Sequence, residues 1–195
     1  MNHDPKNLTT VIFVRHAQAV YGIDDRNRPL SDAGLEDRKI VAEILAGRQI
    51  DAFLGSPYQR SLDTIRPAAD LRNMDIRTDE RFRERKCGDF SADSLAKRWA
   101  DFSWAEENGE CLRSVQDRNM EALREVLRDY AGQTVVIGTH GTALSTVLHH
   151  YNQSFGLKDF LRIVSWMPYI IELTFDGETL LGLKELGHAE KKPSP

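Results

Sequence analysis

TTVIFVRHAQA, residues 9–19, decides the fold of this 195-residue chain. Residues 9–14 are β-branched and apolar without alternation, the pattern of a central strand buried on both faces. Arg15 and His16 follow at once, where such a strand runs out. Working outward, residues 31–47 read as a helix: Ser31 can cap it, Leu30 and Leu35 can staple its first turn, and Val41, Ile44 and Leu45 extend an inward face. DAFLGS at 51–56 is a second short strand. A second helix follows over 58–72, in which Pro67 should cause a bend or an interruption. Residues 73–80 hold a further short strand. The stripe Leu112, Val115, Ala122, Leu123, Val126, Leu127 and Tyr130 marks a helix over 110–131. TVVIG at 134–138 is another buried-type strand, followed by a helix over about 141–152. Strands at 169–175 and 179–185 flank the turn DGE as a hairpin.

Alternation of this kind gives an α/β fold of three layers, α/β/α, with a mostly parallel central sheet and an antiparallel C-terminal edge. The whole of 1–195 reads as one domain, with frayed polar ends at 1–8 and 187–195 that carry His3 and His188. Periodicity is lost from about 81 to 109, where charges mix with Phe90, Trp99, Phe102 and Trp104. A stretch that long, inserted in a compact domain, suits a lid, or in its middle part a surface excursion containing short helices.

Composition narrows the function. Apolar residues make up 41% and charged residues 29%, an ordinary globular balance, and the formal charge of −4 disfavours nucleic acid or an anionic membrane as partner. No apolar run approaches the roughly 20 residues of a membrane helix, and MNHDPKNLTT lacks the apolar core of a secretory signal, so the expected location is cytoplasmic. Cys87 and Cys111 lack zinc-pair spacing and are expected to stay free. No metal and no cofactor is implied. An acidic chain that binds a phosphorylated compound needs a local cationic pocket.

Such a pocket can be read from topology. Ligands gather outside the carboxyl ends of strands in open α/β sheets. That rule selects Arg15 and His16 after the first strand, Ser56 through Arg60 after the second, and Thr139, His140 and Gly141 after TVVIG. Arginine offers paired planar donors to phosphoryl oxygens, and a helix N-terminus adds amide donors. A neutral histidine can attack phosphorus directly, and neighbouring cations lower its pKa so that it stays neutral.

These residues resemble the histidine phosphatase superfamily, the phosphoglycerate mutase-like fold, in its phosphatase branch. Arg15-His16-Ala17 corresponds to the family's Arg-His-Gly, RPLSDAG at 28–34 to its Pro-Leu-Thr/Ser-x-x-Gly helix start, and GSPYQRSLDT at 55–64 to its Ser-Ser-Pro-x-x-Arg-x-x-x-Thr segment. FRERKCGDF at 82–90 resembles the block with the acidic residue, NGECLRSV at 108–115 the Gly-Glu-Ser helix start, and GTHGTAL at 138–144 the second-histidine motif. Six blocks in order cover most of residues 10–150. The resemblance implies His16 as nucleophile, Arg15, Arg60 and His140 as holders of the phosphoryl group, and Glu84 as proton donor. Glu84 is favoured over the nearby acids Glu80 and Asp89. Gln18, Thr139 and Gly141 are further substrate-binding positions. Ala17, Gln18, Gly22 and Gly55 depart from the family's usual glycine, glutamate, asparagine and serine. Ala17 fits only where the backbone avoids positive φ.

The function expected from this is a metal-independent phosphomonoesterase working through phosphohistidine on a small phosphorylated metabolite. A bisphosphoglycerate-dependent phosphoglycerate mutase is the enzymatic alternative, disfavoured by a short and acidic stretch before the second histidine. A phosphate-binding module with weak or no turnover is the alternative of another class. A homodimer is left open. Trp99, Phe102 and Trp104 are expected to pack the lid rather than to recognise a substrate ring, and His149 and His150 to be structural.

Overall fold

The computed structural model describes residues 8–22, 24–88 and 91–191, and in it the opening strand takes a central place in the sheet. Asp89 and Phe90 lie outside the described residues, as do residues 1–7 with His3. Strand β1, Thr9–Arg15, pairs parallel with β4, Thr134–Thr139, and antiparallel with β5, Trp166–Asp176. Strands β2, Ala52–Gly55, and β3, Ile76–Thr78, extend the parallel half, and β6, Thr179–Glu190, forms the other edge. The order is β3-β2-β4-β1-β5-β6, so the antiparallel pair β5 and β6 sits at one edge of a parallel sheet.

The missing alternation in β1 has the expected cause. Val11 and Phe13 enter one core, with Leu123 and Val126 of α5 (Leu112–Asp129) and Leu144 and Val147 of α6 (Gly141–Tyr151). Ile12 and Val14 enter a second core on the opposite face, with Val41 and Leu45 of α2 (Lys39–Leu45) and Ile65 and Ala68 of α3 (Gln59–Asp70). All four β1 side chains are fully buried. The two cores are the interfaces of a three-layer α/β/α fold.

The expected helix over 31–47 is divided at Arg38 into α1, Asp32–Asp37, and α2. Ser31 caps α1 by accepting from Gly34 N at 3.2 Å. Of the two residues expected to staple this turn, Leu30 is buried and Leu35 is 42% exposed. The chain is tied down by backbone pairing, with Ser31 N donating to Gln18 O and Ala19 bridging Leu30. Gly34 lies so close to that carbonyl that a Cβ would stand 2.0 Å from Gln18 O. Pro67 does not interrupt α3. The carbonyl of Asp63, which loses its helical N–H partner to Pro67, accepts from Arg38 Nη1 at 3.0 Å.

The inserted stretch contains short helices, one of the two readings of its lost periodicity. It holds a 3-10 turn at Glu80–Phe82 and helix α4, Ala92–Ala100. A short helix α7, Leu157–Ile163, goes unforeseen. The C-terminal hairpin turns at Gly177 with φ 57°. Residues 187–190, expected in a frayed tail, belong to β6: Tyr169 is opposite His188 and Trp166 opposite Glu190. Trp166 stacks on His188 at 3.9 Å and donates to Glu190 at 2.8 Å, which holds this polar edge in register. Residues 192–195 lie outside the described residues. Among the described residues, no helix is long and apolar enough to cross a membrane.

Candidate active site

The carboxyl ends of β1, β2 and β4 bring the expected side chains together. Arg15 closes β1, and His16 N donates to Thr139 O at 3.1 Å, locking the turn after β1 onto the end of β4. His16 is oriented at both ring nitrogens. Nδ1 faces the Ala17 carbonyl at 2.7 Å, and Arg60 Nε approaches Nε2 at 3.2 Å. A carbonyl can only accept and a guanidinium N–H can only donate, so the proton sits on Nδ1 and Nε2 carries the lone pair. Ala17, fully buried, keeps its backbone out of the left-handed region. Its N–H donates to Thr64 Oγ1 at 2.9 Å, and that hydroxyl donates to Arg60 O at 2.7 Å. Thr64 therefore joins the His16 turn to the first turn of α3.

Arg60 and Arg15 are both buried cations, with 1% and 5% exposure. Arg60 donates to Asp25 O at 2.5 Å, its Nη2 lies 3.4 Å from the Asp25 carboxylate, and its guanidinium sits 5.1 Å from the Tyr58 ring centroid. Arg15 donates through Nη1 to Ile163 O at 2.7 Å, while its Nε is buried with no partner among the described residues. Gly141 permits this placement: a Cβ there would meet Arg15 Cζ at 3.0 Å. Burial lowers the Arg15 pKa to about 10, and burial likewise lowers that of Arg60. The His16 pKa falls well below its ordinary value, first by burial and then by the charges of Arg60 and Arg15. The imidazole is neutral at pH 7.

His140 stands behind His16, with ring centroids 5.2 Å apart, and is fully buried. Its Nε2 pairs with Ser56 Oγ at 2.7 Å, and its Nδ1 has no partner among the described residues. Burial, then Arg60 and His16, lower its pKa well below the ordinary value. Glu84 reaches the same place from the inserted segment. Its carboxylate accepts from Thr142 N at 3.1 Å and Ala143 N at 3.2 Å, and from Arg85 N at 2.8 Å. The α6 amides expected to be free for phosphate thus receive Glu84 in this structure. The three backbone donors pin the carboxylate beside the two arginines.

A cleft of about 820 Å³ opens over this group, lined by Arg15, His16, Gln18, Arg60, Glu84 and Gly141. Thr139 and His140 lie beneath it and are fully buried. Gln18 is also a backbone post, since its carbonyl accepts both Ser31 N and Ser31 Oγ. Sequence reasoning missed Arg28, which lines the cleft and pairs with Asp25 at 2.5 Å. It opens RPLSDAG, so its signal was position within a recognised block. Thr64, Ser56 and Tyr58 were likewise inside a quoted block without assigned work. Trp99 does what was expected, packing on Phe102 at 5.6 Å and Phe160 at 5.6 Å, and it also lines the cleft. His149 is structural, its Nδ1 bonded to Phe155 O. Cys87 and Cys111 form no disulfide among the described residues. Among the described residues no three His, Cys, Asp or Glu side chains gather as a metal-binding group.

With this geometry in view, the profile of the histidine phosphatase superfamily (branch 1) matches residues 11–181. The chain belongs to that superfamily. It is a histidine phosphatase, an enzyme of phosphoric monoester hydrolysis. Similar curated proteins include phosphoserine phosphatase 1 of Hydrogenobacter thermophilus, 29% identical over 150 residues and covering 68% of this chain and 71% of that one. Glucosyl-3-phosphoglycerate phosphatase of Mycolicibacterium vanbaalenii is 27% identical over 160 residues, covering 70% and 71%. Among solved structures, a mycobacterial glucosyl-3-phosphoglycerate phosphatase superposes with a TM-score of 0.73 at 21% identity, over 91% of this phosphatase and 97% of that chain. At that identity the superposition speaks for the fold.

Proposed function

We propose that this histidine phosphatase hydrolyses small phosphate monoesters through a phosphohistidine at His16. The observation that carries the reading is the fixed tautomer: Nδ1 bound to Ala17 O and a lone pair on Nε2 facing the guanidinium of Arg60. In the first step Nε2 forms a bond to phosphorus and the ester P–O bond breaks. Glu84 gives its proton to the departing oxygen. In the second step water attacks phosphorus, the N–P bond breaks, and the Glu84 carboxylate takes the water's proton. The products are the alcohol and inorganic phosphate, with His16 returned to neutral.

Arg15, Arg60 and His140 spread and stabilise the charge of the phosphoryl oxygens. Arg15 has its Nε still to give, and His140 Nδ1 has no partner among the described residues. Gln18 and Gly141 border the phosphoryl group, and Thr139 contributes through the carbonyl that holds His16 N. The names of the relatives, which act on phosphoserine and glucosyl-3-phosphoglycerate, support a small phosphorylated substrate. No metal takes part in this scheme.

The test is hydrolysis of 4-nitrophenyl phosphate in the presence of chelator, wild type against His16→Ala. The scheme expects chelator-resistant activity that His16→Ala abolishes. Activity that survives the substitution refutes His16 as nucleophile.

A further inference from the structure

We infer that the group carried by the substrate's phosphate is bulky and apolar, a long alkyl or aryl group and not a carboxylate-bearing one; this rests on the phosphatase reading above. The cleft of about 820 Å³ is far larger than a phosphoryl group and lies in the range that seats a whole drug-sized molecule. Its charged end is made by the strand ends. Away from them, α4 supplies Leu95 and Trp99, α5 begins with Leu112, α7 supplies Phe160, and Val164 and Met167 follow it. These six side chains line the same cleft as Arg15, His16 and Arg60, although Leu112 is itself almost wholly buried. Trp99 and Phe160 meet at 5.6 Å, and Leu95, Trp99, Phe160 and Met167 are each only half-buried, so they keep apolar surface to offer.

The cations of the same cleft argue against a second anionic group. Arg85 and Arg98 are buried, and both are held by Glu106, at 2.8 Å and 3.0 Å. Arg28 is paired with Asp25 at 2.5 Å. Lys191 is turned onto Tyr21, with its Nζ 2.7 Å from the hydroxyl. Lys86 is exposed, where water and salt screen its charge. Apart from the exposed Lys86, each of these cations would have to give up a partner to receive a carboxylate. An apolar chain would displace water from Trp99, Phe160 and Val164 and lose nothing.

The experiment compares kcat/KM for octyl phosphate and phosphoserine, with His16→Ala as control. Serine is the more acidic leaving alcohol, its neighbouring ammonium and carboxylate withdrawing electrons, so leaving-group acidity cannot produce a preference for octyl phosphate. Octyl phosphate should exceed phosphoserine by about thirtyfold or more, a ratio that needs only about 80 Å² of apolar surface buried. Val164 is 38% exposed, so Val164→Asp can be made without disturbing the core. It should raise KM for octyl phosphate about tenfold and collapse the preference, while Val164→Leu keeps it. Equal or better turnover of phosphoserine, lost in His16→Ala, overturns the apolar reading and leaves the phosphatase reading standing. No turnover of either ester or of 4-nitrophenyl phosphate overturns both.

Discussion

Thr64→Val isolates the hydroxyl that joins the two halves of the site. Thr64 is 1% exposed and accepts from Ala17 N at 2.9 Å. Valine nearly preserves its shape. Arg60 O keeps its helical partner, but the Ala17 N–H is left buried with none, which costs about 1–3 kcal/mol. For a domain of this size the midpoint of that range lowers Tm by about 4–8 °C. The Ala17 carbonyl also fixes His16 through Nδ1 at 2.7 Å, so a loosened Ala17 peptide lets the imidazole turn away from the line of attack proposed for it. A tenfold to hundredfold fall in kcat is expected, roughly the effect of a sub-ångström to 1 Å misplacement. Thermal melts and steady-state kinetics on 4-nitrophenyl phosphate read both effects. Thr64→Ser keeps the hydroxyl and should keep kcat. The reasoning fails if Thr64→Val melts within about 1 °C of wild type with kcat within about twofold, or if serine loses kcat as severely as valine.

Two further outcomes follow from the same structure. His16 and His140 are held neutral in the fold, with pKa values below the ordinary 6.5, so below that pH the unfolded chain binds protons that the folded chain refuses. Stability therefore falls as pH drops from 6.5 toward the depressed values, by up to about 1.4 kcal/mol per pH unit for each histidine. Urea denaturation at pH 7, 6 and 5 should show a shallower loss in His16→Gln, and parallel curves would count against the neutral pair. Separately, Gly34→Ala forces a Cβ to within 2.0 Å of Gln18 O, and since backbone cannot yield as a side chain does, a loss of about 2 kcal/mol or more is expected in a thermal melt. A wild-type Tm would show that α1 is free to shift.

Much of the fold could be read from the chain because its decisive strands are buried on both faces. VIFV at 11–14 and VVI at 135–137 show no alternation for that reason, and their ends point to Arg15, His16 and His140. Arg60 was marked by the end of the second strand as well as by its block, Glu84 by its block alone, and both lie with His16 along one cleft. What escaped reading depends on distant partners or on polar surface. Arg15 is anchored by Ile163 O, 148 residues away, on a helix too short to show a stripe. The seat of Glu84 on the amides of Thr142 and Ala143 is a tertiary contact between main chain and side chain, which no residue pattern announces. Residues 187–190 look like a tail because an edge strand can be polar on its open side. Leu35 fits a staple by spacing, yet the tether at Gln18 and Ala19 sets the chain's path first.

The claim that His16 carries the phosphoryl group is tested most directly by trapping that state. Wild-type protein mixed with a 32P-labelled phosphate monoester and quenched in alkali should carry label on the chain. That label should be lost in acid and kept in base, should map to the peptide containing His16, and should be absent in His16→Ala. Label that is stable in acid, or that persists in His16→Ala, contradicts the account.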